Sequence, residues 1–264
     1  MTGSAGAPST LRIASIYPEL LGTYGDGGNA VILAARARWR GLAAELVEVS
    51  AGDPIPGGCD IYLLGGGEDE PQALAATGAR TGALAGAVSG GAVLLAVCAG
   101  LQIVGTSFPG TDGRIHSGAE LVDVTTVPGE ARAVGDLVVR PRTGLNAEPL
   151  YGYENHGGRT TLGPGVAPLG AVVRGIGNGA GQADEAGAYE GLWAPTGAGL
   201  VVGTYLHGPV LAQNPQLAEA ILERAVPGLP PLDDADPRVA AAAAATATAV
   251  TALRAARARQ TARR

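Results

Sequence analysis

Three short, almost wholly apolar runs, each halted by glycines or by a reactive side chain, constrain this chain more than any other feature. Asp60 to Leu64 stops at Gly65-Gly66-Gly67, Ala92 to Val97 stops at Cys98, and Leu200 to Leu206 stops at His207. Runs of this length without a polar face read as strands buried on both sides, the kind found in parallel sheets covered by helices. Leu11 to Tyr17 and Ala43 to Val49 read as two more strands. Helices are expected from about Ala30 to Arg40 and from Pro215 to Ala225, the second with proline in its first turn. Strands alternating with helices build βαβ units. The expectation is therefore an α/β fold with a mostly parallel sheet flanked by helices, and function at the carboxyl ends of the strands.

Hydrophobic residues make up 46% of the chain but aromatics only 4%, so the core has to be built from Ala, Val, Leu and Ile. Beyond Phe108 the β-like runs become shorter, at about Glu120 to Thr126, Val134 to Arg140 and Val166 to Arg174. They are expected to extend the sheet or fold over its edge as a β-rich C-terminal half. Residues 1–10 are polar and uncharged and are expected to be disordered, residues 11–230 to form one domain, and residues 231–264 an Ala- and Arg-rich tail. From Ala83 to Gly105 only Ser89 and Gln102 interrupt small and apolar residues, which on length alone suits a membrane span. Gly90-Gly91 and the β-like run after it favour a helix, a turn, a buried strand and a second helix instead.

A formal net charge of -6 argues against a nucleic-acid partner, since a backbone-binding surface needs a positive field. All 18 basic residues are arginine, so no P-loop lysine is available to hold ATP phosphates. Arg254, Arg257, Arg259, Arg263 and Arg264 crowd the last eleven residues. They suit peripheral contact with an anionic membrane, docking on a partner, or plain solvation. Two cysteines behind a start that lacks an export signal point to free thiols and a cytoplasmic protein.

The strand that runs into Cys98-Ala99-Gly100-Leu101-Gln102 has the layout of a nucleophile elbow. Helix N-termini favour a thiolate, so a sulfur placed there is expected to be a nucleophile. A buried structural cysteine is the alternative, and it is the reading kept for Cys59. Backbone N–H groups of Gly66, Gly67 and Ala99 are candidates for an oxyanion hole, with an ordinary tight turn as the alternative for the glycines. His207, at the end of an apolar strand, is placed to be the base. His116 lies in a polar loop, and His156 is a candidate either to bind substrate or to hold a loop. The histidines and cysteines have no metal-ligand spacing, so no metal is expected.

The elbow Cys98-Ala99-Gly100-Leu101-Gln102, the upstream Gly65-Gly66-Gly67-Glu68-Asp69-Glu70-Pro71-Gln72 and the late Gly203-Thr204-Tyr205-Leu206-His207-Gly208-Pro209 carry a resemblance. Together they resemble the class I glutamine amidotransferase domain of the cobyric acid synthase type, a flavodoxin-like fold. Tyr17-Pro18-Glu19-Leu20, Tyr24-Gly25-Asp26-Gly27-Gly28-Asn29 and the stretch from Gly152 to Thr160 most resemble the GatD family, the glutaminase subunits of lipid II isoglutaminyl synthase. The similarity runs from about Leu11 to Val226.

The resemblance implies that Cys98 is the nucleophile and His207 the base, that Gly67 and Ala99 hold the oxyanion, and that Gln102 and Arg132 contact glutamine. It implies hydrolysis of L-glutamine to glutamate and ammonia with no cofactor in this chain. The ammonia would pass to a Mur-ligase-like partner, MurT, which brings ATP and Mg and amidates the D-glutamate of lipid II to D-isoglutamine in peptidoglycan synthesis. One position departs from the pattern: the glutamate common two residues after the histidine is Pro209 here. The acid that orients His207 is therefore expected from Glu154 or, preferably, from the partner, leaving the isolated chain a poor glutaminase. An amidotransferase subunit of a cobalamin-type synthase and a non-catalytic scaffold are the competing readings.

Overall fold

In the computed structural model, which describes residues 10–80, 82–110, 112–141, 145, 147–179 and 188–261, the three apolar runs lie side by side in one sheet. Most of the start expected to be disordered, residues 1–9, falls outside the described residues. The chain opens with β1 (Leu11–Ile16), α1 (Gly28–Arg38), β2 (Ala44–Val49), β3 (Ile61–Leu64), α2 (Asp69–Ala79), α3 (Ala83–Ser89), β4 (Val93–Val97) and α4 (Ala99–Val104). A middle section holds β5 (Ser107–Pro109), β6 (Ile115–Ser117), β7 (Val124–Pro141), β8 (Leu150–Leu162), β9 (Gly170–Arg174) and β10 (Tyr189–Glu190). After it come β11 (Leu192–Thr196), β12 (Gly199–Thr204), α5 (Val210–Gln213), α6 (Pro215–Ala225) and α7 (Pro237–Thr261).

The first sheet has the order β11-β12-β4-β3-β1-β2 and is parallel except for β11. Every residue of β3, β4 and β12 is buried, which is why those segments carry no polar face. Each Val or Leu so buried contributes roughly 1.5–3 kcal/mol. At the edge, β2 exposes Glu45 and Glu48. The stretch from Ala83 to Gly105 resolves into α3, a turn at Gly90-Gly91, β4 and α4, so its apolar character serves the core of this domain.

The middle section departs from expectation. It forms a second sheet, ordered β10-β9-β7-β5-β6 with β8 paired to β7, and the chain then returns to the first sheet through β11 and β12. The β-rich part therefore sits mid-chain. Its spine is a long antiparallel hairpin of β7 and β8, with an irregularity between Pro128 and Ala133. The sequence did not mark β8 as a strand, for a physical reason. Its buried face is Leu150, Gly152, Glu154, His156, Gly158 and Thr160, a perfect period of two written mostly in glycine and polar residues.

Those polar groups meet polar side chains of β7, of α4 and of the segment after β12. Thr160 Oγ1 lies 2.9 Å from Thr126 Oγ1 and 2.7 Å from the Tyr205 hydroxyl, and Gln102 Nε2 donates to that same hydroxyl at 3.3 Å. Gly158 has to be glycine, since a Cβ there would lie 2.5 Å from Thr126 Cγ2 and 2.8 Å from Gln102 Nε2.

The expected tail is one helix, α7. Asp236 caps its start by accepting the Arg238 N–H at 2.8 Å, and Pro237 follows as the first helical residue. By length and composition alone α7 is long and apolar enough to cross a membrane. Near its far end, however, two of the five tail arginines are tied to the domain. Arg254 pairs with Glu148 and lies over the Tyr151 ring, while Arg257 donates to Asp136 Oδ1 at 3.0 Å and to the Gly152 carbonyl at 2.7 Å. The Arg259, Arg263 and Arg264 side chains lie outside the described residues.

Candidate active site

At the end of β4 the backbone turns sharply into α4, and Cys98 carries the turn with φ 51° and ψ -101°. A non-glycine residue held there costs on the order of 1–3 kcal/mol, which the surroundings have to impose. They do so through Cys98 N–H donating to the Thr204 carbonyl at 2.8 Å and Gly100 N–H donating to the Gly65 carbonyl at 3.1 Å. Gly100 permits the approach, because a Cβ there would lie 2.5 Å from the Leu64 carbonyl oxygen. Cys98 is 7% exposed and lines a cleft of about 660 Å³ together with Tyr24, Gly67, Arg132, Asn155 and His207.

His207 follows the end of β12 and is pinned by a two-way backbone bridge to Tyr153 on β8. One step earlier, Glu190 Oε1 accepts from Tyr205 N–H at 2.6 Å and from the Thr204 hydroxyl at 2.9 Å. Burial pushes the Glu190 carboxyl up to about 8, so it is neutral at pH 7 and fixes this segment without adding charge.

The acid facing His207 is Asp26. Its Oδ2 accepts from His207 Nδ1 at 3.0 Å and from Gly66 N–H at 2.9 Å, and both side chains are almost fully buried. This corrects the expectation of Glu154 and sets an acid of this chain where one from the partner was preferred. Glu154 is spent elsewhere: it accepts from Ile176 N–H at 2.7 Å, Gly177 N–H at 2.9 Å and His156 Nε2 at 3.3 Å. Asp26 brings a carboxylate to His207 from within this chain. Pro209, in the place of the family's glutamate, packs against Gly28 at the start of α1, behind the loop that carries Asp26.

His207 Nε2 has no hydrogen-bond partner among the described residues, and the imidazole interacts with the neighbouring Cys98 thiol. Burial opposes a charge on the ring, but the bond to Asp26 and the interaction with Cys98 outweigh it and raise the His207 pKa to about 10.

Asp26 reaches His207 because the loop after β1 passes directly over the turn after β3. A Cβ on Gly65 would lie 2.0 Å from the Leu21 carbonyl oxygen, and one on Gly67 would lie 2.7 Å from that of Leu20. One on Gly66 would lie 2.5 Å from His207 Cε1 and 3.0 Å from Asp26 Oδ2. All three glycines are therefore needed for passage, beyond any part their N–H groups play.

The remaining predicted residues divide sharply. Gly66 is not an oxyanion donor, because Asp26 takes its N–H. Gly67 N–H has no partner among the described residues, and Ala99 N–H, at the first position of α4, has none within its helix. Gln102 does not line the cleft; its carboxamide bonds Gln72 and the Tyr205 hydroxyl. His156 does not line it either. Its ring stacks on Tyr205 at 3.7 Å, with Nδ1 bonded to the Gly158 carbonyl and Nε2 to Glu154, so it holds the sheet interface. Arg132 does line the cleft, from β7. His116 lies apart on β6, stacked on Phe108. Among the described residues no cluster of His, Cys, Asp and Glu could hold a metal ion.

A family model described as a CobB/CobQ-like glutamine amidotransferase domain matches residues 12–215. This chain belongs to that family. The amidotransferase is 34% identical over 219 residues, 81% of this chain and 84% of the relative, to subunit GatD of lipid II isoglutaminyl synthase (glutamine-hydrolyzing) from Staphylococcus aureus. It is 32% identical to the subunit of the same name from Streptococcus pneumoniae, covering 83% of this chain and 82% of that one. Cobyric acid synthase from Methylorubrum populi is 36% identical over 69% of this chain, but only 35% of that protein is spanned. A glutamine amidotransferase from Thermotoga maritima has the same fold, with a TM-score of 0.50 and 14% identity over 80% of this chain and 82% of that one.

Reading motifs alone missed several residues of the amidotransferase site: Asp26 behind His207, and on the cleft wall Tyr24 from the loop after β1, Asn155 from β8, Glu68 at the start of α2 and Glu70 in its first turn. A signal for Asp26 was present. It is an acid flanked by glycines in a loop at the carboxyl end of a parallel strand, where such sheets gather function.

Proposed function

We propose that this chain hydrolyses L-glutamine through a thioester on Cys98 and passes the ammonia to a ligase partner. The observation that carries the reading is the Cys98, His207 and Asp26 constellation, set on an elbow at the floor of an open cleft. The Cys98 thiolate, its proton held by His207, attacks the side-chain carbonyl carbon of glutamine, and the oxyanion forms against the free N–H groups of Gly67 and Ala99. His207, held cationic by Asp26, gives its Nε2 proton to the departing nitrogen, and ammonia leaves as the C–N bond breaks. The now neutral His207 takes a proton from water. The hydroxide adds to the thioester and the C–S bond breaks, which restores the Cys98 thiolate beside the reprotonated His207 and releases glutamate, with its carboxyl proton passing to solvent. Arg132, the cation on the cleft wall, takes the substrate's α-carboxylate.

The destination of the ammonia is read from the two relatives named as GatD subunits of lipid II isoglutaminyl synthase. In this reading a Mur-ligase-like partner, MurT, binds ATP and Mg in the cytoplasm and amidates the D-glutamate of lipid II. The test is to treat the protein with the glutamine-analogue electrophile diazo-oxo-norleucine, map the labelled peptide, and measure ammonia release with and without the co-purified ligase. Label on Cys98 with glutamine-dependent ammonia release is expected. Absence of both, with the ligase present, leaves a scaffold; recovery of a corrin-modifying enzyme in place of a Mur-like ligase moves the chain to the cobalamin branch.

A further inference from the structure

Tyr24 is the residue of the cleft whose placement the proposed reaction does not yet use. It lies two positions before Asp26 in a left-handed backbone conformation, φ 58° and ψ 21°, and is 46% exposed. Its ring meets the His207 imidazole edge-on, with centroids 4.9 Å apart and planes at 60°. Its hydroxyl accepts a hydrogen bond from Asn155 Nδ2. Asn155 in turn accepts from Arg132 twice, from Nε at its side-chain oxygen and from Nη2 at its backbone carbonyl, the latter at 3.3 Å. A continuous chain of contacts thus runs from the guanidinium on β7, through β8, to the imidazole.

We propose that Tyr24 is a positioning residue and that Arg132, Asn155 and Tyr24 link the binding of glutamine's α-carboxylate to the orientation of His207. This rests on the glutaminase reading above. Among the described residues lining the cleft, Arg132 is the one cation besides His207, so it is the group an incoming α-carboxylate engages. A carboxylate that binds a guanidinium shares or displaces the acceptors already there. Here that acceptor is Asn155, whose amide is also what holds the Tyr24 hydroxyl. Tyr24 needs such a hold, because nearly half of its surface faces solvent and its backbone conformation is one that non-glycine residues avoid. A change at Arg132 therefore reaches the ring that packs on the imidazole, and glutamine that is correctly seated at its α-carbon end sets the proton donor at its amide end.

The experiment is steady-state glutamine hydrolysis by the full chain with its ligase partner present, for Tyr24→Phe, Arg132→Ala and the double variant, each checked for unchanged Tm. Tyr24→Phe keeps the ring and removes only its bond to Asn155. It is expected to lower kcat by about ten-fold, the scale of one lost orienting hydrogen bond, with KM for glutamine little changed. Arg132→Ala is expected to raise KM and also to lower kcat. In the double variant kcat should be no lower than in Tyr24→Phe alone, because both changes cut the same chain. Asn155→Ala should reproduce the Tyr24→Phe kcat. A Tyr24→Phe kcat equal to that of the unaltered protein, or kcat losses that multiply in the double variant, overturns the link while leaving the glutaminase reading intact. No hydrolysis by the unaltered protein overturns the reading beneath it.

Discussion

Replacing Asp26 by Asn tests whether this chain carries its own complete triad. The change is nearly isosteric, so it asks about charge and proton position. Both donors, Gly66 N–H and His207 Nδ1, converge on Oδ2, while Oδ1 is buried with no partner among the described residues. An Asn that keeps its oxygen on the two donors buries an unpaired NH2. An Asn flipped the other way sets its NH2 against the Gly66 N–H and drives the His207 proton to Nε2, towards Cys98. Either outcome removes the carboxylate that, together with Cys98, offsets burial at His207, so its pKa falls below about 10. The expected loss in kcat is about 10³–10⁴-fold, equivalent to about 4–5.5 kcal/mol, by analogy with removal of the orienting acid from a hydrolase triad.

The assay is ammonia release from glutamine by the chain alone and with its ligase. Glu154→Gln serves as the comparison, since it should cost about 1–3 kcal/mol of stability from its backbone donors but little of kcat. Stability against pH gives a second readout. Because the His207 pKa is raised on folding, its contribution is fully present below about pH 6.5 and is lost as the pH rises through about 10. In a Cys98→Ala background, which removes thiol titration and the Cys98 share of the shift, stability should decline over a window that closes below about pH 10, and adding Asp26→Asn should make the decline smaller. An Asp26→Asn complex as active as wild type, with a partner carboxylate whose removal is severe, would refute the reasoning and return the acid to the ligase.

Cys98→Ala should abolish glutamine hydrolysis while Cys59→Ala keeps most of it, because Cys59 is buried outside the cleft and burial pushes its thiol pKa up; equal activities by ammonia release would remove the nucleophile assignment. Gly66→Ala should leave a folded protein with a loss in kcat of at least about a hundred-fold, since its methyl has to displace His207, and an active Gly66→Ala enzyme would contradict the geometry of the crossing. Deleting residues 254–264 should lower Tm by a few degrees through loss of the Arg254 and Arg257 anchors, checked by calorimetry. Salt-sensitive loss of liposome binding at unchanged Tm would instead give the tail its membrane role.

The parallel sheet was legible because its middle strands are buried on both faces, a condition that leaves runs such as Val93 to Val97 with no polar residue. Cys98 and His207 were legible because each ends such a run. β8 was not, because the face it buries meets the polar groups Gln102, Thr126 and Tyr205, so residues such as Glu154 and His156 sit where hydrophobic ones would reveal a strand. Asp26 was not, because its separation of 181 positions from His207 follows no spacing rule. The tail's charge pointed outward in the sequence, yet Arg254 and Arg257 turn inward to acids on the domain.

The strand order explains why the same short glycine run had two readings. β12, β4, β3 and β1 are successive neighbours, so His207, Cys98, the glycine turn and the Asp26 loop leave the sheet along one edge in that order. His207 and Asp26 depart from strands with two others between them, and their contact requires the Asp26 loop to cross the turn after β3. A side chain at Gly65 would strike the Leu21 carbonyl, and one at Gly66 would strike His207 itself. Three glycines in succession are thus what a triad assembled across two intervening strands demands. Only at Gly67, beside Cys98 in the cleft and with its N–H unspent, does the run also present a donor to the reacting carbonyl.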